Sequence, residues 1–356
     1  MSLRIGLIAP PWFAVPPSGY GGVEWVVSNL AEGLVARGHD VTLFASGGSV
    51  TKARLVSTYE RPPSEQIGDW VIEAPALMDA YQRASEFDIV HDHSLLGLTM
   101  APLIPGPVVH TVHGPMIAAV RPLYERLCGR VQTVAISNHQ RGTFPAGLDA
   151  TVIHNAVDAA SYPLGAGKGD YLLFVGRMCA EKGILPAIEI ARRADKRLMV
   201  VAKINEAPER AYFDDVVRPA LDGVPFEFLE QPPHKVKAQA YAEAYATLFP
   251  IDWPEPFGLV MIESMAAGTP VIAFRHGSVP EVIEHGKTGF ICDNLDEAVA
   301  AVERVPEIDR NACRQHVIAN FSVERNVAAH ERLYHSILAG ERRRLGIQSA
   351  MAAAGG

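Results

Sequence analysis

The chain has 356 residues, of which 48% are hydrophobic and 20% are charged, and its formal net charge is -8. A single hydrophobic core rarely serves a chain of this length, so two domains are expected. The negative charge argues against nucleic acid or an anionic membrane as the main partner.

The apolar segments are too short for a membrane span, which needs roughly 18 consecutive apolar residues. The apolar run near the start of the chain stops at Pro10 and Pro11, so it lacks the length of a signal sequence. We therefore expect a cytoplasmic protein whose membrane contact, if it has any, is peripheral.

Apolar runs of strand length alternate with helical patterns through the first half of the chain, as in βαβ units on a parallel sheet. The predicted strands cover residues 3–9, 41–45, 89–91, 108–112, 131–136 and 151–154. A helix over 23–37, ended by Gly38, lies between the first two strands. Residues 1–165 are therefore expected to form one doubly wound α/β domain.

A loop rich in proline and glycine follows the first predicted strand, at residues 16–24. It lacks the Gly-x-Gly-x-x-Gly pattern of dinucleotide-binding folds, so hydride transfer is not expected. Gly21 and Gly22 would let the backbone approach a phosphate or a sugar, although a plain turn explains them equally well.

His113 directly follows the strand at 108–112, so it lies at the same edge of the sheet as the glycine loop. A lone histidine is more often structural than catalytic, but this position makes His113 a candidate for catalysis. His91 and His93 are expected on opposite faces of a strand, which argues against a metal site there.

The alternation of strands and helices restarts after a glycine-rich segment at 159–170, which predicts a linker. Further strands are predicted over 171–177, 197–201, 226–229, 247–249 and 270–274, with a helix over 182–194. We assign 166–322 to a second doubly wound domain, 323–340 to a helix that could cross back to the first domain, and 341–356 to a frayed tail.

Arg177 and Lys182 bracket the turn after the first strand of the second half. Open α/β sheets bind ligands beyond the carboxyl ends of their strands, so both cations could converge on one diphosphate. An ordinary surface pair is the alternative. The chain has no Asp-x-Asp, the usual clamp for a metal-bound diphosphate, so these cations would have to stabilise a departing nucleotide without a metal or another cofactor.

A proline-rich loop containing Glu255 leads into a helix containing Glu263, and this is the strongest chemical pattern in the chain. On such a helix Glu263 lies beside the stripe that packs on the sheet. A buried carboxylate needs hydrogen-bond donors, and the two hydroxyls of a ribose would supply them. Either glutamate alone would more simply pair with a lysine or stay solvated, but both together favour a functional role.

The same helix is predicted to start near Phe257. Its first N–H groups, on Phe257, Gly258 and Leu259, would then be free to bind phosphate or sugar hydroxyls. Gly258 would allow a ligand to approach the backbone closely.

These motifs resemble those of family 4 of the GT-B glycosyltransferases, also called group 1, and the resemblance covers nearly the whole chain. It implies two Rossmann-like domains that face each other across a deep cleft, and a reaction that retains anomeric configuration. By resemblance, Glu263 holds the ribose hydroxyls of a nucleotide sugar. Glu255 and the amides of residues 257–259 contact the transferred sugar, and Arg177 and Lys182 bind the diphosphate.

The resemblance also extends to the first domain. Gly21 and Gly22 match the family's loop glycines, and His113 matches a histidine near the reacting carbon. Residues 155–158, Asn-Ala-Val-Asp, are similar to the family's Asn-Gly-Val-Asp with alanine in place of glycine, which leaves their role less certain.

The reaction implied is transfer of a hexose-type sugar from a nucleotide diphosphate sugar, with a UDP-sugar favoured, to an alcohol in glycan, glycolipid or natural-product assembly. No dedicated base stands out, and an oxygen of the departing phosphate could take the acceptor's proton. A GT-B epimerase, a phosphorylase, or a non-catalytic sugar-nucleotide-binding protein are the alternatives. The residues leave open the nucleotide base, the sugar, the acceptor and the oligomeric state.

Overall fold

The computed structural model describes the backbone over residues 2–19, 21–148, 150–204 and 206–354, and the side chains of these residues up to 340. The strands of the first half are β1 (Arg4–Ile8), β2 (Asp40–Phe44), β3 (Arg54–Val56), β4 (Ile89–Asp92), β5 (Val108–Val112), β6 (Gln132–Ala135) and β7 (Ala150–Val152). Those of the second half are β8 (Tyr171–Arg177), β9 (Arg197–Lys203), β10 (Phe226–Glu230), β11 (Ala246–Phe249), β12 (Val271–Phe274) and β13 (Gly289–Cys292).

The helices of the first half are α1 (Gly22–Ala36), α2 (Trp70–Gln82), α3 (Arg121–Leu127) and α4 (Asn138–Gly142). The second half contains α5 (Ile184–Arg193), α6 (Ala207–Tyr212), α7 (Arg218–Ala220), α8 (His234–Glu243), α9 (Leu259–Ala266), α10 (Val279–Val282), α11 (Leu295–Arg304), α12 (Arg310–Asn320) and α13 (Val323–Ala354). None of the helices in the described residues combines the length and apolar character needed to cross a bilayer.

Over the described residues, the strands form a seven-stranded sheet in the order β3-β2-β1-β4-β5-β6-β7 and a six-stranded sheet in the order β10-β9-β8-β11-β12-β13. Neighbouring strands run parallel, as in β1 with β4 and β8 with β11. The strand order reverses beside β1 in one sheet and beside β8 in the other, which creates a crevice at the carboxyl ends of the strands. The predicted class of two doubly wound α/β domains is confirmed.

The first sheet is covered on both faces because alternate residues of its strands enter different cores. Ile5 and Leu7 of β1 pack with Leu30 of α1, whereas Ile8 packs with Leu77 of α2 on the other face. The second sheet lies in one continuous core that also takes in the buried residues of its helices. Burial on both faces explains why the strands read as short apolar runs with little polar alternation.

The predicted strands lie within two residues of the observed ones, and β5 and β8 match at both ends. Two strands were not predicted. β3 is a three-residue edge strand whose residues are partly exposed, and β13 begins with Gly289, so neither carries a clear strand pattern. α9 starts at Leu259 rather than Phe257, because Gly258 takes the left-handed φ of 77° and caps the helix.

The last helix returns to the first sheet. Val327 and Tyr334 of α13 belong to the same core as Leu30 of α1. At the surface, Arg37 and His39 contact the carboxylate of Glu331 at 2.5 and 3.1 Å. The helical backbone continues through Ala354, where a frayed tail was expected from residue 341, and residues 355–356 lie outside the described residues.

The chain crosses between the sheets at two adjacent places. The first crossing follows β7 at Val157, whose N–H donates to the carbonyl of Phe321 at 3.1 Å just before α13 begins. The predicted boundary at 165 lies in the segment between β7 and β8. Beyond these crossings, Glu281 of α10 accepts hydrogen bonds from the N–H groups of Asn138 and His139 at the start of α4.

The packing of α13 on α1 is tight enough to be tested by mutation. A methyl group added at Gly33 would collide with Val327 of α13. We therefore expect Gly33→Ala and Val327→Ala each to lower the free energy of unfolding, by overpacking and by leaving a cavity. The decrease in the free energy of unfolding of the double variant should be smaller than the sum of the two single decreases, by at least about 0.5 kcal/mol. The reason is that the added methyl group occupies the space that the shortened side chain leaves.

Urea denaturation of the four proteins of this cycle measures that coupling. Cys313→Ala, which removes a buried side chain of the second domain, serves as the control and should add to Gly33→Ala without coupling. Additive effects of Gly33→Ala and Val327→Ala would contradict the packing described.

Candidate active site

A cavity of about 530 Å³ lies where the carboxyl ends of the two sheets face each other. Its walls include Trp12 and Asn155 from the first half of the chain and Phe249 from the second. All of the predicted site residues line this one cavity: Gly21, Gly22, His113, Arg177, Lys182, Glu255, Phe257, Gly258, Leu259 and Glu263. The structure therefore brings together every residue that the sequence selected, from both domains.

Lys182 and Glu255 form an ion pair in the wall of the cavity. Nζ of Lys182 lies 2.5 Å from Oε2 of Glu255, and their side chains are 17% and 12% exposed. Trp253 supports both partners, because its Nε1 donates to the same carboxylate at 2.7 Å and its ring lies 4.4 Å from Nζ of Lys182. An ammonium group has three N–H donors, so this pairing leaves two for a ligand.

Glu263 is buried in α9 and already has hydrogen-bond donors. Lys237 donates to Oε1 at 2.8 Å, Tyr162 donates to the same oxygen at 3.1 Å, and Tyr241 donates to Oε2 at 2.9 Å. Burial raises the pKa of Glu263, but the charge and hydrogen bond of Lys237 and the bond from Tyr241 outweigh it and lower the pKa. The alternative weighed from the sequence, a pairing of Glu263 with a lysine, is present here, because Lys237 and the two tyrosines donate to its carboxylate.

A carboxylate can accept about four hydrogen bonds, so three donors still leave Glu263 one acceptor position for a ligand.

The start of α9 presents backbone amides to the cavity. Gly258 has no room for a side chain, since a Cβ there would lie 2.9 Å from the ring of Phe249. The first N–H groups of a helix have no partner within the helix, and those of Phe257, Gly258 and Leu259 have no backbone partner among the described residues. Across the cavity a Cβ on Gly22 would lie 3.2 Å from Leu259, so the glycine loop closes directly over this helix end.

Arg177 has a neighbour that the sequence did not select. It ends β8, and Lys203 at the end of β9 pairs with it in the sheet register and also lines the cavity. Glu209 is shared between them, at 3.7 Å from Nη1 of Arg177 and 3.8 Å from Nζ of Lys203. The strand was predicted to end at Val201, two residues too early, and so its last residue was not recognised at the ligand edge.

His113 is partly buried and lies against a group of buried histidine rings. Its Nε2 lies 2.8 Å from Nδ1 of His93, whose ring centroid lies 4.2 Å from that of His91. The expectation that His91 and His93 lie on opposite faces was wrong, because residues two apart on a strand share a face, and the two rings lie against each other. Burial, with a smaller contribution from His330, lowers the pKa of His113 to about 4. In the described part of the chain, His, Cys, Asp and Glu side chains form no group of three that could hold a metal ion.

Glu24 is a further acid of the cavity that the sequence did not reveal. It lies in the first turn of α1 and is 4% exposed. No other described side chain pairs with its carboxyl group, and its own backbone N–H is the hydrogen-bond donor it has. Burial raises its pKa to about 7.

Two protein-family models match the chain. The model described as Glycosyltransferase Family 4 matches residues 20–161, and the one described as Glycosyl transferases group 1 matches residues 163–320. Between them they span both sheets and the cavity. The chain belongs to the group 1 glycosyltransferases, with the GT-B fold.

Curated relatives of this glycosyltransferase align along most of its length. It is 29% identical to the phosphatidyl-myo-inositol mannosyltransferase of Mycolicibacterium smegmatis over 362 residues, which cover 86% of each chain. It is 26% identical to the glycogen synthase of Mycobacterium tuberculosis over 392 residues, which cover 92% of this chain and 94% of that one. The names of these relatives point to different products, so they fix the family and not the substrate.

Solved structures share the fold. AviGT4, a glycosyltransferase involved in avilamycin A biosynthesis, superimposes with a TM-score of 0.72 at 27% identity and covers 95% of this chain and 98% of its own. HepE of Anabaena, solved in complex with UDP-glucose, superimposes with a TM-score of 0.74 at 17% identity. The superposition covers 94% of this chain and 100% of HepE. The predicted GT-B fold of this glycosyltransferase is confirmed.

Glu24 makes the stability of this glycosyltransferase depend on pH. Its pKa rises from 4.5 to about 7 on folding, so the folded state binds the proton more tightly. The free energy of unfolding should be highest below pH 4.5 and fall as the pH rises towards 7, by on the order of 3 kcal/mol for this group. Glu24→Gln should remove that loss, because the amide stays neutral.

Thermal unfolding between pH 4.5 and pH 8 checks this expectation. The melting temperature of Glu24→Gln should rise relative to that of the wild type as the pH rises. Glu303→Gln, at an exposed position of α11, should have the melting temperature of the wild type at every pH. A constant offset between Glu24→Gln and wild type would contradict a buried, titrating carboxyl group.

Proposed function

We propose that the protein is a retaining glycosyltransferase that moves a hexose-type sugar from a nucleotide diphosphate sugar to a hydroxyl group of its acceptor. A UDP-sugar is the favoured donor, and the acceptor belongs to glycan, glycolipid or natural-product assembly. Transfer needs no divalent cation. The nucleotide occupies the second-domain wall of the cavity, and the acceptor enters from the first-domain side.

One observation carries the proposal: the cavity joins a cluster of cations and free helix amides to a wall of carboxyl groups and histidine. Arg177, Lys182 and Lys203 line the second-domain wall near the amides of α9. Their positive charge suits a diphosphate. Glu24 and His113, on the first-domain wall, suit hydroxyl groups.

In the proposed reaction the bond from the anomeric carbon to the phosphate oxygen breaks, and a bond to the acceptor oxygen forms on the same face. The acceptor's proton moves to an oxygen of the departing diphosphate, so no protein base is needed. Arg177, Lys182 and the helix amides stabilise the charge that grows on the diphosphate. Because these donors are already positioned, they take the place of a metal ion.

The glutamates hold the two ends of the donor. Glu263 uses its remaining acceptor position for a ribose hydroxyl, and Glu255 receives a hydroxyl of the transferred sugar beside Lys182. The first domain closes over the reacting carbon and keeps out water that would otherwise hydrolyse the donor. HepE, which has the same fold, was solved with UDP-glucose, and this supports testing UDP-sugars first.

Donor binding is tested by titration calorimetry and thermal shift with UDP-, GDP- and ADP-sugars in buffer containing EDTA. We expect a UDP-sugar to raise stability by about 2.7 kcal/mol at a concentration of 100 times its Kd. Glu263→Gln should weaken binding about tenfold, since a charged acceptor is lost from the ribose contact. Stabilisation by none of the nucleotide sugars would leave the proposed donor site without support, and binding that appears only without EDTA would contradict the metal-free proposal.

Lys182 should be needed for transfer more than for folding. Lys182→Ala is expected to lower kcat/KM about 100- to 1000-fold, because a donor to the departing diphosphate is removed. Activity is followed as release of nucleotide diphosphate, and NMR of the product should show the anomeric configuration of the donor.

Lys287→Ala is the matched control for Lys182→Ala. Lys287 also pairs with a glutamate, at 3.0 Å, but its side chain is 60% exposed and outside the cavity. It should retain wild-type turnover. Undiminished transfer by Lys182→Ala would remove Lys182 from the mechanism, and an inverted product would remove the retaining chemistry.

A further inference from the structure

The histidine group of the first domain consists of His91, His93, His113 and His330, and it connects α13 to the cavity. Ring centroids lie 5.1 Å apart for His93 and His113, 4.2 Å for His91 and His93, and 5.3 Å for His91 and His330. Only His113 of this group lines the cavity. The other three are almost fully buried.

His93 is held in one orientation by what packs around it. Its ring lies against that of His91, which is fixed in turn by Thr111 at 2.8 Å from Nε2 and by Tyr334 of α13 at 2.6 Å from Nδ1. The backbone N–H of His93 donates to the carbonyl of Ile8 in β1 at 3.0 Å. A ring fixed in this way can orient a neighbour.

The two nitrogens of His93 have different surroundings. Nδ1 lies 2.8 Å from Nε2 of His113, whereas Nε2 is buried and has no hydrogen-bond partner among the described residues. Burial lowers the pKa of both rings, so each carries a single proton near neutral pH. A buried N–H without a partner costs more than a bare ring nitrogen, and such orphan donors are rare.

The proton of His93 is therefore on Nδ1, from which it is donated to Nε2 of His113. Because Nε2 of His113 accepts this bond, the proton of His113 must be on Nδ1. No described residue pairs with that nitrogen of His113, which leaves its N–H for a molecule in the cavity.

We propose that His93 is a positioning residue that fixes His113 as the Nδ1–H tautomer, so that His113 donates a hydrogen bond to an oxygen of the bound sugar nucleotide and cannot act as a base. This inference rests on the proposed function for its ligand. It assigns the proton of the acceptor to the phosphate, since His113 has no free lone pair to receive it. It also makes the return of α13 part of the site, through Tyr334, His91 and His93.

The tautomer is measured in the protein without ligand, by long-range proton–nitrogen NMR correlation of the enzyme labelled with nitrogen-15 histidine. The His113 signal is assigned by its loss in His113→Gln. We expect a protonated Nδ1 and a bare Nε2 on His113. A bare Nδ1 would overturn the proposal, because His113 would then present an acceptor to the cavity.

Two variants separate positioning from packing. His93→Asn keeps an N–H close to the place of Nδ1 and should preserve the His113 tautomer and transfer to within about threefold of wild type. His93→Leu removes the donor; His113 should then move towards the Nε2–H form and kcat should fall about tenfold. The Kd for UDP should not change in either variant. A lower kcat in His93→Leu with an unchanged His113 tautomer would reduce His93 to a structural residue and overturn the inference.

His330→Leu is the control, since His330 is equally buried in the group and is not bonded to His113. His330→Leu should leave the tautomer of His113 unchanged and keep kcat within about twofold of the wild type. If no nucleotide sugar binds, the proposed function fails while the NMR result still decides the tautomer. The two ideas can therefore fail separately.

Discussion

The pairing of Lys182 with Glu255 is the interaction on which the donor side of the cavity depends. Both side chains are mostly removed from water, and a buried charge without a partner costs several kcal/mol. The pair helps to hold the loop that contains Glu255, and Trp253 and the backbone of Ser278, whose N–H donates to the carbonyl of Glu255 at 3.0 Å, hold the same loop. Lys182 and Glu255 are thus positioned without a ligand. In the proposed complex a diphosphate would accept hydrogen bonds from the N–H groups of Lys182 that Glu255 leaves unused.

Lysine and glutamate side chains also pair elsewhere along the second-domain wall, where Lys237 pairs with Glu263 and Lys203 lies near Glu209. The fold places these charges together because parallel strands all end at one edge, and a loop or helix at each end contributes its own side chain. The first domain approaches the cavity from a different direction and is completed by α13. The two chain crossings pair beside this cavity-forming junction, where the N–H of Val157 donates to the carbonyl of Phe321.

Much of this arrangement could be predicted from the sequence, because the spacing of apolar residues, the positions of glycines and the ends of strands are all local signals. β5 and β8 were placed at both ends, and His113 and Arg177 were selected because each lies at the end of its strand. Pairings between distant segments left no such signal. Lys237 is on α8 and has no pattern around it, so the lysine that pairs with Glu263 could not be identified from the sequence. Glu24 was missed because an acid in the first turn of a helix is ordinary in sequence and becomes unusual only when buried.

The two walls of the cavity differ in charge, and this difference constrains the chemistry that each can do. The second-domain wall offers ammonium, guanidinium and amide N–H groups, which suit an anion. The first-domain wall offers Glu24, a carboxyl group that repels an anion once it is ionised, and the ring of His113. A diphosphate placed against the first wall would push Glu24 still further towards its neutral form. Against the second wall it meets donors already oriented, and the proposed function therefore places the sugar between the walls with its departing oxygen towards Lys182.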